Sequence, residues 1–168
     1  MAVVLGRIID QSHYELQHRM EVVKAATHPG NLKLLAYWRE CDARGGMRMG
    51  RDIPSRAIAP LLKDLCVAEP VGDWIDAHIR LAGSTMTEYF GQDVSGLLMS
   101  QIIGDNRESD FQLMMNGARY ATAKNATGAV EHSLVDNGRV VLRQEIMVVP
   151  IWSPDADARW LVTGTFNF

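Results

Sequence analysis

A hairpin signal at Asp136-Asn137-Gly138 constrains the fold of this chain more than any other segment, because it lies between two long runs of strand-forming residues. Asn-Gly is typical of a two-residue turn. That register would place Arg143 and Glu145 on the same face as His132 and would mix charge into an apolar face. A three-residue loop with Gly138 in the left-handed conformation moves both charged residues to the other face. We therefore predict the three-residue loop.

The three-residue loop gives a hairpin with one apolar face and one mixed face. The mixed face places Glu131 directly opposite Arg143, which is a favourable cross-strand pair. The apolar face contains two polar residues, His132 and Gln144, and these need hydrogen-bond partners inside the protein. The remaining residues of this face are all apolar: Val130, Leu134, Val140, Leu142, Ile146 and Val148.

The mixed face is more apolar than a solvent-exposed sheet face, because it also carries Val135, Val141, Met147 and Val149. Sheets with one wet face alternate more strictly between apolar and polar residues. We expect a covering element on this face, either an N-terminal helix or a second subunit.

An N-terminal helix is predicted over Ser12–Ala26, because Ser12 and Glu15 form a capping box at its start. Leu16, Met20 and Val23 are spaced four and three residues apart, which places them in one apolar stripe on that helix. The stripe predicts a homodimer interface at these three residues.

The rest of the chain alternates between helical and strand patterns. A second helix is predicted from Leu32 to about Arg44, capped by Asn31, and a longer one over Glu108–Lys124. The predicted strands are Cys66–Glu69, Ala77–Ala82, Ala129–Val135, Arg139–Ile151 and Arg159–Phe166. This order predicts an α+β fold: a five-stranded antiparallel sheet with helices between strands two and three, preceded by N-terminal helices.

Composition excludes several functional classes. The 168 residues have a formal net charge of -3, which argues against nucleic-acid binding through phosphate contacts. No apolar run has the length of a membrane helix, so we expect no membrane insertion and a cytoplasmic location. Cys41 and Cys66 lie in unrelated segments, and the five histidines do not cluster. We therefore expect no metal site.

Several short segments, in order, resemble a bacterial family of single-domain PAS proteins. In that family a helix precedes the PAS domain and no output domain follows it. The matching segments are Leu35–Arg39, Gly45-Gly46, Pro54–Arg56, Ile58–Leu62, Arg80–Ser84, Tyr89–Gly91 and Asp93–Gly96. The resemblance covers about residues 32–168, and the loop 47–53 is longer than is usual in the family. It implies a helical extension at 1–30 followed by a PAS domain at 31–168.

The resemblance also implies a pocket between the sheet and the helices. His132 and Gln144 would supply its polar contacts. The apolar walls would include Phe111, Met114, Met115 and Leu142. The cysteine motif of flavin-binding PAS light sensors is missing here, and Glu108–Lys124 lacks the histidine that is typical of haem-binding PAS domains. We expect neither flavin nor haem, and an unidentified small organic ligand is left open.

These observations lead to three hypotheses about function. The first is a non-catalytic signalling or regulatory module that acts through contacts with other bacterial signalling proteins. The second is a small-molecule sensor that binds its ligand in the PAS pocket. The third is an isomerase-type enzyme with a cone-shaped fold, which would place acids or histidines deep in the pocket, where only His132 qualifies. No GxSxG, HExxH or P-loop motif occurs, so we expect no enzymatic activity and no catalytic residues.

Overall fold

The computed structural model describes residues 16–103 and 107–168. They form one antiparallel sheet of six strands in the order β1-β4-β5-β6-β2-β3. The strands are β1 (Leu16–Val23), β2 (Leu65–Val71), β3 (Asp76–Ala82), β4 (Gly128–Asp136), β5 (Arg139–Trp152) and β6 (Arg159–Asn167). The helices are α1 (Pro29–Ala43), α2 (Ser84–Phe90), α3 (Met99–Ile103) and α4 (Glu108–Lys124), with a 3₁₀ segment at Arg56–Asp64 before β2. The α+β class agrees with the sequence-based prediction. The helix placement differs from it, because α1 follows the first strand, and α2 to α4 lie between the third and fourth of six strands and not between the second and third of five.

The prediction of a helix over Ser12–Ala26 is wrong for the described residues, because Leu16–Val23 is an edge strand. It pairs with β4 through eight consecutive residue pairs, and it makes the sheet six-stranded and not five-stranded. The predicted capping box at Ser12 and Glu15 lies outside the described residues. A spacing of four residues places two side chains on one face of a helix and also on one face of a strand. Leu16 and Met20 therefore fit both patterns.

The predicted interface stripe is consequently divided between the two faces of the sheet. Leu16 packs against the small cluster of Leu134 and Leu142, and Met20 lines a cavity on that same face. Val23 is an odd number of residues away, so it packs instead against the core cluster on the opposite face. These three residues do not form a single surface for a second subunit.

Two apolar residues of the mixed face, Met147 and Val149, are covered by α1 of the same chain, whereas Val141 is 52% exposed. Leu34, Trp38 and Cys41 of α1 pack in one buried cluster with Met147 and Val149 of β5. Helix α1 begins at Pro29 with His28 as its N-cap, and not after Asn31 as predicted. Proline suits the first helical position because its missing N–H has no partner there in any case.

The hairpin between β4 and β5 has a two-residue turn, so the predicted three-residue loop is wrong. Asn137 and Gly138 both have positive φ, at 47° and 80°, as a type I′ turn requires. A β-bulge between Leu134 and Val135 then shifts the register, and Val141 of β5 is left without a partner.

From Leu142 onwards, the bulge gives the same apolar face that the three-residue loop predicted. His132 pairs with Gln144, and Leu134 pairs with Leu142. Arg143 lies on the other face opposite Ser133, and it reaches Glu131 diagonally, at 2.7 Å between Nε and Oε1. The predicted faces are therefore confirmed for residues 130–134 and 142–148, although Glu131 is not directly opposite Arg143. Val140 was predicted on the apolar face, but it pairs with Val135 and lies on the mixed face.

Replacing Gly138 by valine is expected to lower the free energy of unfolding by about 1 kcal/mol or more, since β-branched residues are strained at positive φ. No atom lies within 4 Å of the position its Cβ would take, so the loss would come from the backbone. Gly128→Val is the matched control, because φ is not positive there and the new Cβ would meet Val148 at an ordinary 3.7 Å. Equal losses in chemical denaturation of the two variants would contradict the turn assignment.

Two further clusters lie on the pocket face of the sheet. The larger one packs Phe111, Met115 and Ala118 of α4 against Ala77 and Ile79 of β3. The smaller one is formed by Leu134 and Leu142, with Leu16 and Tyr89 against it. A cavity lies between the two clusters. In the described ranges, no helix combines the length and apolar character needed to span a membrane.

Candidate functional site

A cavity of about 280 Å³ lies between the sheet and helices α2 to α4. Its floor comes from β1, β4, β5, β6 and β2, so it crosses most of the sheet. Four of the six predicted ligand-binding residues line this cavity: Met114, His132, Leu142 and Gln144.

Phe111 and Met115 do not line the cavity and are buried in the larger core cluster. They are four residues apart, so they share one face of α4, and that face packs on the sheet. Met114 is adjacent to Met115 in sequence and is rotated by about 100° around the helix axis. Only one of the two methionines can therefore face the cavity.

A chain of four polar side chains crosses the pocket face of the sheet at one end of the cavity. His18 Nδ1 lies 3.1 Å from His132 Nε2, and His132 Nδ1 lies 2.8 Å from Gln144 Oε1. Gln144 Nε2 donates to Asn167 Oδ1 at 3.1 Å. The four residues belong to the neighbouring strands β1, β4, β5 and β6, which places them side by side.

The direction of this chain follows from its amide groups. Gln144 Oε1 can only accept, so His132 Nδ1 must carry the proton that it shares with Gln144. Neutral His132 then has an unprotonated Nε2, which accepts a hydrogen bond from His18 Nδ1. The two imidazole ring planes are nearly parallel, at 12°, with centroids 5.3 Å apart. Every hydrogen bond in the chain therefore points from β1 towards β6.

Both histidines are held in the neutral form. Burial lowers the pKa of His18 to about 4, with a further contribution from the nearby Arg107 guanidinium. Burial also lowers the pKa of His132, against the opposing effect of its hydrogen bond to Gln144. Arg107 Nε is itself paired with Asp110 Oδ2 at 3.0 Å.

The chain of side chains ends beside the first turn of α1. Asn167 accepts a hydrogen bond through its backbone oxygen from His28 Nε2, at 3.0 Å. His28 Nδ1 in turn accepts from the Gly30 N–H at 3.0 Å. The polar end of the cavity is thus joined through β6 to the helix on the opposite face of the sheet.

Sequence reasoning missed His18, Met20, Arg107 and Asn167. From sequence, His18 was placed on a helix and tested only as a metal ligand. His18 lies instead on strand β1, where its neighbours are residues of β4. A signal for Asn167 was present, because Thr163, Thr165 and Asn167 alternate along β6 and line the cavity together. No pattern in the sequence links His18 to His132, since 114 residues separate them.

The Tyr89 hydroxyl beside the cavity is buried and has no hydrogen-bond partner among the residues that the structure describes. Burial raises the pKa of this hydroxyl. Tyr89→Phe is expected to leave the free energy of unfolding unchanged or to raise it by up to about 1 kcal/mol, because it removes an unsatisfied polar group.

The control for Tyr89→Phe is Tyr37→Phe. Tyr37 donates its hydroxyl proton to the Asp52 backbone oxygen at 2.7 Å, so this variant is expected to lose about 1 kcal/mol. Urea denaturation of both variants gives the comparison. A loss at Tyr89 as large as that at Tyr37 would mean that the Tyr89 hydroxyl has a partner.

The fold and the cavity together define a class of protein: an antiparallel sheet with helices on its inner face that enclose a small-molecule-sized space. A family model for the PAS domain matches residues 26–166, and the chain therefore belongs to the PAS domain family, as the resemblance predicted. PAS domains are signalling or sensory modules. Strand β1 lies before the matched segment. No curated protein matches the chain significantly.

Proposed function

We propose that this chain is a non-catalytic sensory module that binds a small, largely apolar molecule in the cavity and passes its occupancy to a protein partner. The observation that carries the proposal is the cavity of about 280 Å³, which has apolar walls and a polar chain at one end. Small-molecule sites combine apolar walls with a few placed polar groups in this way. The cavity favours the sensor hypothesis over a module that acts through protein contacts alone.

The reactive side chains at the cavity support a binding role and not a catalytic one. Both ring nitrogens of His132 are engaged by protein partners, so neither is directed at a substrate. Cys66 also lines the cavity, but burial raises the pKa of its thiol to about 12. A thiol with such a pKa is not a nucleophile at neutral pH.

The route to a partner is part of this proposal. The hydrogen bond from His28 to the Asn167 backbone joins the cavity end of β6 to α1, so a ligand that moves Asn167 acts on the start of that helix. The partner is a second copy of the chain or another cytoplasmic signalling protein.

Native mass spectrometry of the purified protein tests the proposal directly, because it reports both subunit count and retained ligand mass. A melting experiment with and without a small-molecule cell extract complements it. We expect a retained mass, or a rise of about 3 °C or more in Tm, which corresponds to roughly 1 kcal/mol of ligand stabilisation.

A cavity-filling variant and a matched control sharpen this experiment. Thr165→Met places a longer side chain in the cavity and is expected to abolish retention and the Tm shift. Thr87→Met makes the same change on α2 away from the cavity wall and is expected to behave as wild type. If folded wild-type protein neither retains a mass nor shifts in Tm, the cavity is not a ligand site and the sensor proposal fails.

A further inference from the structure

The polar end of the cavity has unused hydrogen-bond donors. His132, Gln144 and Asn167 all line the cavity, and their bonds to one another decide which of their atoms remain for a ligand. A neutral imidazole has one donor and one acceptor. His132 Nδ1 donates to Gln144 Oε1, and His132 Nε2 accepts from His18 Nδ1. His132 therefore has no polar atom left for a ligand, contrary to its predicted role as a polar contact.

Gln144 and Asn167 are left with N–H groups. The Gln144 oxygen is held by His132 at 2.8 Å, and one of its two amide protons goes to Asn167 Oδ1. The second Gln144 proton and both protons of Asn167 Nδ2 have no acceptor among the described side chains and backbone. Each of the two amide oxygens already accepts one bond. The amide pair therefore presents mainly donors.

Arg107 is a cationic side chain that lines the cavity, and it is 13% exposed. It lowers the pKa of His18 and His132 by more than its partner Asp110 raises them, so it acts on this end of the cavity despite that ion pair. Asp64 also lines the cavity, one strand from Asn167 and two strands, or about 10 Å, from Gln144. Its carboxylate accepts a hydrogen bond from Thr85 Oγ1 at 2.5 Å. Glu88 is an exposed residue of α2.

The size of the cavity limits the rest of the ligand. An apolar cavity of about 150 Å³ holds benzene. By that scale, 280 Å³ has room for roughly ten non-hydrogen atoms. The lining residues come from five neighbouring strands, from Met20 on β1 to Cys66 on β2, which suits an extended chain better than a fused ring system.

We propose that the cavity takes an extended apolar molecule with a terminal carboxylate, and that the carboxylate binds the amide N–H groups of Gln144 and Asn167 in the cavity that Arg107 also lines. This inference rests on the proposed sensor function. His132 is a positioning residue here: by holding the Gln144 oxygen, it turns the N–H side of that amide towards the ligand. His132 therefore sets the preference for a ligand that accepts hydrogen bonds, although His132 itself does not contact the ligand.

Isothermal titration calorimetry with three matched probes tests the ligand class. Octanoate, octan-1-ol and octylamine share one apolar chain and differ in the head group. We expect octanoate to bind wild-type protein at least ten-fold more tightly than either of the others. Gln144→Glu replaces the N–H donor by an oxygen of the same shape, and is expected to weaken octanoate at least ten-fold. Gln17→Glu makes the same change at an exposed position of β1 and is expected to bind octanoate as wild type does.

The outcomes separate this inference from the proposed function. If octan-1-ol or octylamine binds as tightly as octanoate, the carboxylate class is wrong, while the cavity remains a ligand site. If none of the probes binds, the carboxylate class is also wrong, and the mass-spectrometric experiment decides whether the cavity binds anything.

The His132 tautomer gives a second test that does not depend on any variant folding. Nitrogen-15 NMR distinguishes a proton on Nδ1 from a proton on Nε2. We expect the Nδ1–H tautomer, both before and after octanoate is added. An Nε2–H tautomer would reverse the hydrogen-bond chain, turn the Gln144 oxygen towards the cavity and overturn the proposal.

Discussion

Replacing Glu145 by leucine is expected to lower the free energy of unfolding by about 3 kcal/mol or more. Glu145 is 2% exposed and lies on β5 beneath the start of α1. Its carboxylate accepts hydrogen bonds from the backbone N–H groups of Thr27 at 2.8 Å and His28 at 3.1 Å, and from Asn31 Nδ2 at 2.9 Å. Leucine would remove the acceptor for all of these donors, and the Asn31 amide among them is fully buried.

The buried position of Glu145 explains why its removal is expected to cost more than removal of an exposed carboxylate. The first N–H groups of a helix and the residues just before it have no intrahelical acceptor, and the helix dipole favours negative charge there. The hydrogen bonds from Thr27, Asn31 and His28 outweigh burial and lower the pKa of Glu145. Glu145 therefore stays ionised at neutral pH and attaches α1 to the sheet.

Glu131→Leu is the matched control, because Glu131 pairs directly with Glu145 across the strands and lies on the same face. Its side chain is 32% exposed and forms an ion pair with Arg143. Exposed pairs contribute little, so we expect a loss below about 1 kcal/mol. Urea denaturation measures both variants, and losses of similar size would show that Glu145 does not hold α1.

Acidification from pH 6.5 to pH 4 is expected to lower the free energy of unfolding by about 2–3 kcal/mol, at roughly 1.4 kcal/mol per unit of pKa shift. The pKa of His18 is lowered from 6.5 to about 4, and that of His132 is lowered as well. The unfolded chain therefore binds protons in this range while the folded protein does not. The stabilisation is fully present above pH 6.5 and is lost as the pH falls towards 4.

The pH range in which the two histidines lose their stabilising effect is separate from the range in which Glu145 does. Arg107 and Asp110 are the charged groups that act on both rings. Asp110 raises the two pKa values and Arg107 lowers them by more. Glu145 also loses its contribution in acid, but only below the ordinary carboxyl value of 4.5. Losses between pH 6.5 and 4.5 therefore report the histidines.

Two variants isolate the effect of His18. His18→Gln keeps a donor for His132 Nε2 but cannot titrate, so the loss between pH 6.5 and 4.5 is expected to shrink by about half or more. His78→Gln removes a partly exposed imidazole on β3, at the other edge of the sheet from His18, and serves as the control. Thermal denaturation at a series of pH values gives the comparison. A His18→Gln protein with an unchanged pH profile would contradict the assignment.

The face of the β4–β5 hairpin that encloses the cavity could be predicted from sequence, although its turn could not. Alternation along the two runs brings His132 and Gln144 together whenever Arg143 is kept on the other face. Two different turns satisfy that condition: a three-residue loop, or a two-residue turn followed by a bulge. The two turns differ in the backbone dihedral angles at Asn137 and in whether Val141 has a partner on β4. Neither difference can be read from the alternation of apolar residues in the sequence.

Residue patterns along the chain were enough to predict the α+β class, the order of elements from α1 to β6, and the two polar residues on an otherwise apolar face. These follow from local periodicity and from turn residues, which act over a few positions of the chain. Local patterns could not show that Leu16–Val23 is a strand, because the spacing of Leu16 and Met20 fits both a helix and a strand. The free edge of β4 supplied the backbone partners that settled it. The chain from His18 to Asn167 exists only once that pairing is made, since hydrogen bonds between residues 114 positions apart are set by the neighbouring strands and not by local sequence.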